Sequence, residues 1–214
     1  MTRRTATTIT VATLAAVAVL GLTACDPGTP KPTGSSSPSP TATSTPTASA
    51  TDRPMPPQVD APKDGDAAVA AANKTYEAYL EAQIPFFENV SLGASYLSGY
   101  VLQGGSAWTT LNSTADHGVN TIASGGPFVW TLNGAMSEAS TSTNSQNGQK
   151  VDFGGVHLYG CIDDTKIKYS VPEIKNTPGT PVAVTLVYVP DAHAWMIQED
   201  RRMRASDGEA MPQC

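Results

Sequence analysis

The first third of this 214-residue chain lacks aromatic residues. No Phe, Trp or Tyr precedes Tyr76, although the whole chain contains four Phe, three Trp and seven Tyr. A segment without aromatic side chains has little with which to build a core. The folded part therefore belongs to the C-terminal two thirds, which is long enough for one domain of ordinary size.

Charge is also scarce, and positive charge most of all. Charged residues make up 15% of the chain, and 13 Lys and Arg stand against 19 Asp and Glu, which gives a net charge of −6. A surface that binds nucleic-acid phosphates needs an excess of positive charge. The composition therefore predicts no nucleic-acid partner.

The N-terminus has the parts of an export signal. Arg3 and Arg4 provide positive charge, residues 5–24 are uncharged, and their apolar centre covers residues 9–22. A positive end followed by an apolar run is typical of signal peptides. Twenty uncharged residues approach the length of a membrane-spanning helix, but Thr5, Thr7, Thr8, Thr10 and Thr13 dilute them. The run ends in LTAC, residues 22–25, with no basic cluster after it.

The order Leu22, Thr23, Ala24, Cys25 resembles the lipobox of bacterial lipoproteins. In that family the Cys thiol receives a diacylglyceryl group, and a peptidase then cuts immediately before it. The resemblance implies that residues 1–24 are a signal peptide and that Cys25 holds the mature chain on the extracytoplasmic face of the cell membrane. Two acyl chains are enough for stable anchoring. The alternatives are an ordinary cleaved signal and an uncleaved anchor.

The lipobox is followed by a segment with the composition of a spacer. Residues 26–65 contain 10 Pro, 6 Ser and 7 Thr, and one Val is their only β-branched aliphatic residue. Such a segment buries too little apolar surface to offset the entropy of ordering. Residues 25–65 are therefore predicted to be a lipidated Cys and a disordered tether that holds the domain away from the membrane.

The globular domain is predicted to cover residues 66–214 and to begin with a helix over 66–83. Apolar residues recur there at spacings of three and four, which places Val69, Ala72, Tyr76, Tyr79 and Leu80 on one face. Asp64 or Asp66 can cap the start of this helix, and Pro85 is expected to end it. Shorter helices are predicted around residues 97–101 and 108–111.

Beyond Gly126 the period of apolar residues changes to two, which is typical of strands. Five strands are predicted, at about residues 128–132, 150–162, 165–171, 182–188 and 193–197, with a turn at residues 190–192. Gly154 and Gly155 suggest a bulge or bend in the second of them. Helices followed by a run of strands indicate an α+β fold, with the helices packed on one face of a curved antiparallel sheet.

A second resemblance covers roughly the last 130 residues. The stretch VHLYGCIDDTKI at residues 156–167, followed by Pro181, residues 184–187, residues 194–197 and the terminal Cys214, resembles lipoproteins of actinobacteria whose activity is not known. Their domain is similar to the nuclear transport factor 2-like, or ketosteroid-isomerase-like, cone, in which a curved sheet holds a long helix. The resemblance implies a cone-like fold and no particular activity.

The three cysteines divide into one lipid attachment site and one pair. With Cys25 lipidated, Cys161 and Cys214 remain. An even number of cysteines in an exported chain indicates a disulfide, because the compartment is oxidising. The alternative is two free thiols, with Cys161 buried and Cys214 in a frayed terminus.

Most catalytic and metal-binding motifs are absent. His117, His157 and His193 are scattered without ligand spacing, and there is neither a phosphate-binding loop nor a Ser between glycines. No metal or cofactor is therefore expected. Arg201, Arg202 and Arg204 form a basic cluster that a solvated strand end facing Glu199 and Asp200 would explain.

The resemblance to isomerases and cyclases leaves an enzymatic alternative, because such cones place a carboxylate in an internal pocket as a general base. The candidates are His157, Tyr159, Asp163 and Asp164. We discount them because His157 and Tyr159 share a strand face with the structural Cys161, while a turn would use both aspartates for backbone hydrogen bonds.

The favoured hypothesis is a non-enzymatic binding or scaffold module. Its partner would be a small apolar molecule, a cell-wall component or another envelope protein. Exposed Trp108, Trp130 or Phe153 in one patch would favour a protein partner. An open cavity with an inward carboxylate would favour a small ligand or catalysis.

Overall fold

The computed structural model describes residues 53–116, 119–144, 148–170 and 174–214. The predicted signal peptide, Cys25 and the tether as far as residue 52 lie outside the described residues, and so does His117. In the described ranges no helix combines the length and the apolar character needed to cross a bilayer. Two α-helices and antiparallel sheets make up the domain, which confirms the α+β prediction.

The first helix, α1 (Gly65–Glu88), is longer than predicted. Asp64 caps it by accepting a hydrogen bond from the Ala67 backbone N–H at 2.7 Å. Pro85 lies inside the helix and not beyond its end, so that part of the prediction is wrong. A proline this close to the C-terminus removes only one backbone hydrogen bond, and its carbonyl accepts from the Asn89 N–H at 3.0 Å.

Order begins before residue 66, within the segment predicted to be a spacer. The Val59 N–H donates to the His193 carbonyl at 2.7 Å. The Tyr100 hydroxyl donates to the Met55 carbonyl at 2.9 Å, and the Tyr188 hydroxyl donates to the Val59 carbonyl at 3.0 Å. Buried tyrosine hydroxyls need partners, and the backbone of residues 53–64 provides acceptors for these two.

Between the helices the chain forms two short 3-10 turns, Val90–Leu92 and Ala94–Leu97, and then α2 (Ser106–Ala115). The helix predicted around 108–111 is confirmed, but the one predicted to reach residue 101 is wrong. Residues 100–102 instead run along a strand edge, where the Leu102 N–H donates to the Ile197 carbonyl and the Ile197 N–H donates to the Tyr100 carbonyl, both at 2.8 Å. The unpaired backbone of the edge strand needs these bonds.

The seven strands of the described residues form two sheets. They are β1 (Ala123–Gly125), β2 (Val129–Leu132), β3 (Glu138–Thr143), β4 (Lys150–Asp163), β5 (Ile167–Tyr169), β6 (Thr180–Val189) and β7 (Ala194–Arg202). The larger sheet is antiparallel with the order β2-β4-β6-β7, and β3 pairs with β4 beside β2. β1 and β5 pair separately. The turn predicted at residues 190–192 joins β6 to β7.

β1 and β3 were not among the predicted strands. Both consist mainly of small and hydroxyl-bearing residues, ASG in β1 and EASTST in β3, and neither has apolar alternation. β3 forms because β4 presents a long edge to it. The register between β3 and β4 shifts between Ser140 and Ser142. A Cβ placed on Gly154 would lie 2.5 Å from the Ser142 Oγ. The bulge predicted at the glycines is thereby confirmed.

The core lies between α1 and the inner face of the larger sheet. Its largest fully buried side chains include Trp195, Tyr76, Phe86, Leu97, Leu158 and Leu186. Four of the five residues predicted to share the buried face of α1 are buried, and Val69 is half-buried. Amphipathic α1 is therefore held by burial of its apolar face, as the periodicity indicated.

Cys161 of β4 and Cys214 at the C-terminus form a disulfide, with their Cα atoms 5.6 Å apart. Met203, after β7, also donates its N–H to the Pro181 carbonyl, so the C-terminal segment starts against the sheet. The disulfide fastens the far end of this segment to the same sheet.

We expect that replacing both cysteines with Ser lowers the free energy of unfolding by about 2–4 kcal/mol, because the open chain regains the entropy of a 53-residue separation. Urea unfolding of the lipid-free chain would measure this loss, and the reduced parent should match the double variant. The lipid-free chain carries Cys25→Ser, so reaction of the unreduced, denatured chain with a thiol reagent should reveal no thiol. Two reactive thiols would contradict the prediction.

Candidate functional site

The domain contains a cavity of about 730 Å³ at one end of the sheet. α1 and α2 form one side of it, and β4, β6 and β7 form the other. Most of its wall is apolar and includes Leu80, Phe87, Ile122, Phe128, Ile162 and Val182. A space of this size with a mainly apolar lining is typical of small-molecule sites.

Two charged side chains of β7, Asp200 and Arg202, reach this cavity. A bulge at Gln198 makes this possible, because the register with β6 shifts between the pairs Leu186–Ile197 and Thr185–Glu199. Simple alternation from the buried Ile197 would direct Glu199 inwards. The extra residue instead places Asp200 opposite the buried Val184, on the inner face of the sheet.

The bulge lies against the start of α2. A Cβ placed on Gly105, the residue that caps this helix, would be 2.4 Å from the Gln198 carbonyl oxygen. Only glycine allows the two backbones to approach this closely. Gly105 therefore links the position of α2, one wall of the cavity, to the bulge that directs Asp200 inwards.

Asp200 is a half-buried carboxylate with few partners. Its oxygens both lie 3.3 Å from the Tyr76 hydroxyl, which is the only hydrogen-bond donor that reaches them within the described part of the chain. Desolvation by burial raises the pKa of Asp200 from 3.8 to about 6, although the Tyr76 hydrogen bond and the charge of Arg202 act in the opposite direction. Asp200 thus titrates close to neutral pH.

The tyrosines beside Asp200 stay protonated. Burial, followed by the nearby charge of Asp200, raises the pKa of Tyr76 and of Tyr79 well above the ordinary value of 10.0. Tyr76 also packs edge-on against Trp130, with ring centroids 4.9 Å apart. The α1 side of the carboxylate is therefore a rigid aromatic wall with a neutral hydroxyl.

Arg202 is held by a second carboxylate, Asp164. The Asp164 side chain is 1% exposed and accepts hydrogen bonds from the Thr177 N–H and the Tyr169 hydroxyl, both at 2.7 Å. The Arg202 guanidinium lies 3.5 Å from the same carboxylate, and its side chain is 53% exposed. Burial and the Asp164 interaction raise the pKa of Tyr169 to about 12. Asp164 therefore organises the cavity rim and does not face the ligand space.

The structure does not bring the predicted catalytic candidates together. His157 and Tyr159 lie on the outer face of β4, where the His157 ring contacts the Thr185 hydroxyl. Asp163 accepts hydrogen bonds from Thr165, which lower its pKa, and so it has the turn role expected of it. None of these three side chains lines the cavity.

The remaining predicted residues have structural roles. Trp108 and Trp130 are half-buried against the core, and the Trp130 indole N–H donates to the Asn73 side chain at 2.7 Å. Phe153 is exposed on the bulge of β4. Because the tryptophans are covered, these three aromatics form no common exposed patch. The described residues also contain no cluster of three His, Cys, Asp or Glu side chains suited to a metal ion.

The basic cluster divides between two environments. Arg201 faces outwards and pairs with Glu199, Asp207 and Glu209. Arg202 lines the cavity and pairs with Asp164, but its side chain is 53% exposed, so it is solvated as predicted while also bordering the cavity. The prediction that Asp200 faces these arginines at a solvated strand end is wrong, because the bulge turns it inwards.

No protein-family model, curated protein or solved structure matches this chain. The cavity and its side chains are therefore the features of the molecule that point to a function. Asp200 was not predicted as a site residue, because it lies beyond the predicted strand at residues 193–197 and was assigned to a solvated strand end. The available signal was an acidic residue five positions after the buried Trp195. That spacing places Asp200 on the inner face only if the strand contains a bulge.

We predict that Asp200→Asn stabilises the fold at neutral pH. Because the pKa of Asp200 is higher in the folded state, the folded protein binds more protons between pH 4 and 6 and loses stability as pH rises through that range. A shift of about two units corresponds to at most about 3 kcal/mol. Asp200→Asn should gain about 1–3 kcal/mol at pH 7.5 and nothing below pH 4, measured by urea unfolding.

The matched control is Glu199→Gln, the outward neighbour in the same strand, which should change stability by less than about 1 kcal/mol. A destabilised Asp200→Asn at pH 7.5, or the same difference at pH 4 and 7.5, would show that burial does not disfavour the carboxylate.

Proposed function

We propose that this chain is a lipid-anchored lipoprotein of the bacterial cell envelope whose extracytoplasmic domain binds a small, mainly apolar molecule. The observation that carries the binding function is the cavity of about 730 Å³, with aliphatic and aromatic walls and one inward carboxylate. Its volume lies within the range of roughly 300–1,000 Å³ that is common for small-molecule sites.

The proposed anchoring rests on the N-terminal sequence. Arg3 and Arg4, the apolar run and the LTAC motif together support lipidation of Cys25. A tether rich in Pro, Ser and Thr would then separate the membrane from the first contacts of the domain at residues 55–59. The protein would take up its ligand outside the cytoplasm, close to the membrane surface.

The proposed architecture is the cone of nuclear transport factor 2-like domains. Three features support it: the 24-residue α1 lies across the sheet, the larger sheet is antiparallel, and β4 and β7 both contain bulges. Bulges bend strands and increase their local twist. In such an arrangement the open end of the cone is the natural place for a ligand.

A second candidate function is isomerase-like or cyclase-like catalysis in the same cavity. The observation that favours it is Asp200, because a carboxylate with a pKa of about 6 in apolar surroundings can accept a proton near neutral pH. We favour binding because a pocket and one carboxylate define no reaction. A scaffold for an envelope protein or a cell-wall component is the remaining alternative, and native mass spectrometry of protein isolated from its own envelope separates these partners by mass.

The anchoring proposal predicts that cells fed an alkyne-tagged palmitate label the parent chain and do not label Cys25→Ser. The variant loses the only thiol in the lipobox, so no acyl group can be attached there. Cys161→Ser is the matched control and should still be labelled. Equal labelling of the parent and Cys25→Ser would contradict anchoring at this residue.

The binding proposal predicts that the neutral fluorophore N-phenylnaphthylamine binds to the lipid-free chain, which begins at residue 25 and carries Cys25→Ser. Thr114→Trp adds an indole at the cavity wall and should weaken this binding roughly tenfold or more, because the side chain occupies ligand volume. Fluorescence titration measures both affinities.

Thr141→Trp, at an exposed position of β3, is the control and should bind the fluorophore as the parent does. The absence of fluorophore binding to the parent, or identical binding by Thr114→Trp with the fold intact, would contradict a ligand site in this cavity.

A further inference from the structure

We infer that the ligand of the cavity is a hydrophobic amine, with an apolar body and an ammonium group that pairs with Asp200. This inference rests on the proposed function, because it assumes that the cavity takes a small molecule. It adds the charge and the hydrogen-bonding character of the ligand.

The charge of the cavity lining favours a cationic ligand. Asp200 and Arg202 are the charged residues among the described side chains that line the cavity. The Arg202 guanidinium already pairs with the buried Asp164 carboxylate, and no cation lies within 4 Å of Asp200 in the described part of the chain. The polar end of the cavity therefore has a net charge of −1 when Asp200 is ionised.

Asp200 can accept more hydrogen bonds than the described residues donate to it. An ionised carboxylate offers about four lone-pair sites, and the Tyr76 hydroxyl at 3.3 Å is the single donor from the described residues. An ammonium group has three donors and a positive charge. It would supply both of the interactions that the carboxylate lacks, in charge-assisted hydrogen bonds.

The α2 wall of the cavity, opposite Asp200, presents hydrogen-bond acceptors. Thr109, Thr110 and Thr114 of α2 line the cavity, and each donates its hydroxyl hydrogen to the carbonyl four residues earlier in the same helix. Their oxygens can then only accept hydrogen bonds from a ligand. Acceptors on the α2 wall and a carboxylate on the β7 wall together favour a ligand that donates.

Other head groups fit less well. A carboxylate on the ligand would face Asp200, and Arg202, its one cationic partner in the cavity wall, is half-exposed and already paired with Asp164. A hydroxyl group would donate one hydrogen bond without neutralising the charge of Asp200. The excess of 15 acidic over 8 basic residues in 66–214 also draws cations towards the domain.

The apolar body of the ligand would lie along the remaining wall. Phe87 and Phe128 meet edge to face, with centroids 6.3 Å apart, and Ile122 and Val182 continue the same surface. This surface has no charge and gains affinity from burial of alkyl or aryl groups. The cavity thus offers an apolar wall to the body of the ligand and Asp200 to its cationic head.

The test compares three probes with one alkyl chain: decylammonium, decanol and decanoate. Decylammonium and decanoate would be titrated below their micellar concentrations, and decanol below its solubility limit, into the lipid-free chain at pH 7.5, in competition with N-phenylnaphthylamine. We expect decylammonium to bind roughly tenfold or more tightly than decanol, and decanol more tightly than decanoate, because only the ammonium neutralises Asp200.

Two variants assign this order to one side chain. Asp200→Asn should reduce the preference for decylammonium over decanol to about twofold or less, while Glu199→Gln should retain it in full. The order of the three affinities for the parent protein is itself a test, and it does not depend on whether any variant folds. Decanoate or decanol binding as tightly as decylammonium would overturn the inference, as would a full preference in a folded Asp200→Asn.

The outcomes also separate the two proposals. If decanol and the fluorophore bind but decylammonium has no advantage, the cavity is a ligand site and only the amine inference fails. If neither the fluorophore nor any of the three probes binds, the proposed binding function fails and the amine inference fails with it.

Discussion

One extra residue in β7, Gln198, determines what the interior of this domain contains. Before the bulge, Trp195 and Ile197 face the core, and after it Asp200 and Arg202 face the cavity. A regular strand would have directed Glu199 and Arg201 inwards. The inner face of β7 is therefore apolar before the bulge and polar after it.

Burial of Asp200 opposes stability, and the surrounding structure limits that cost. The Tyr76 hydroxyl donates to the carboxylate, and Arg202 is close enough to lower its pKa, yet desolvation dominates and the pKa stays near 6. Asp164 shows the opposite solution, because it is more deeply buried but has three partners. Asp164 has three partners and Asp200 has one hydrogen-bond donor, and this contrast marks Asp200 as the carboxylate available to a ligand.

Periodicity predicted much of the fold. The buried face of α1, the α+β class and the strands with apolar alternation follow from spacings of three, four and two. Pro85 did not end α1, because one lost hydrogen bond in the last turn is offset by packing of Phe86 in the core. β3 has no apolar pattern, and it exists because the long edge of β4 supplies partners for its backbone. The candidate site was missed because Asp200 lies beyond the predicted last strand at residues 193–197 and was assigned to a solvated strand end.

The amino-acid sequence alone shows where apolar surface is available: apart from the apolar run of the predicted signal peptide, little precedes α1, and the remainder forms one helix face and one sheet face. It also carries the LTAC motif and the paired cysteines, which are local or countable features. The cavity left between the sheet and the helices, and the entry of Asp200 into it, become visible only in the folded structure. A bulge depends on how two distant strands and Gly105 fit together, and no local pattern in β7 reports that fit.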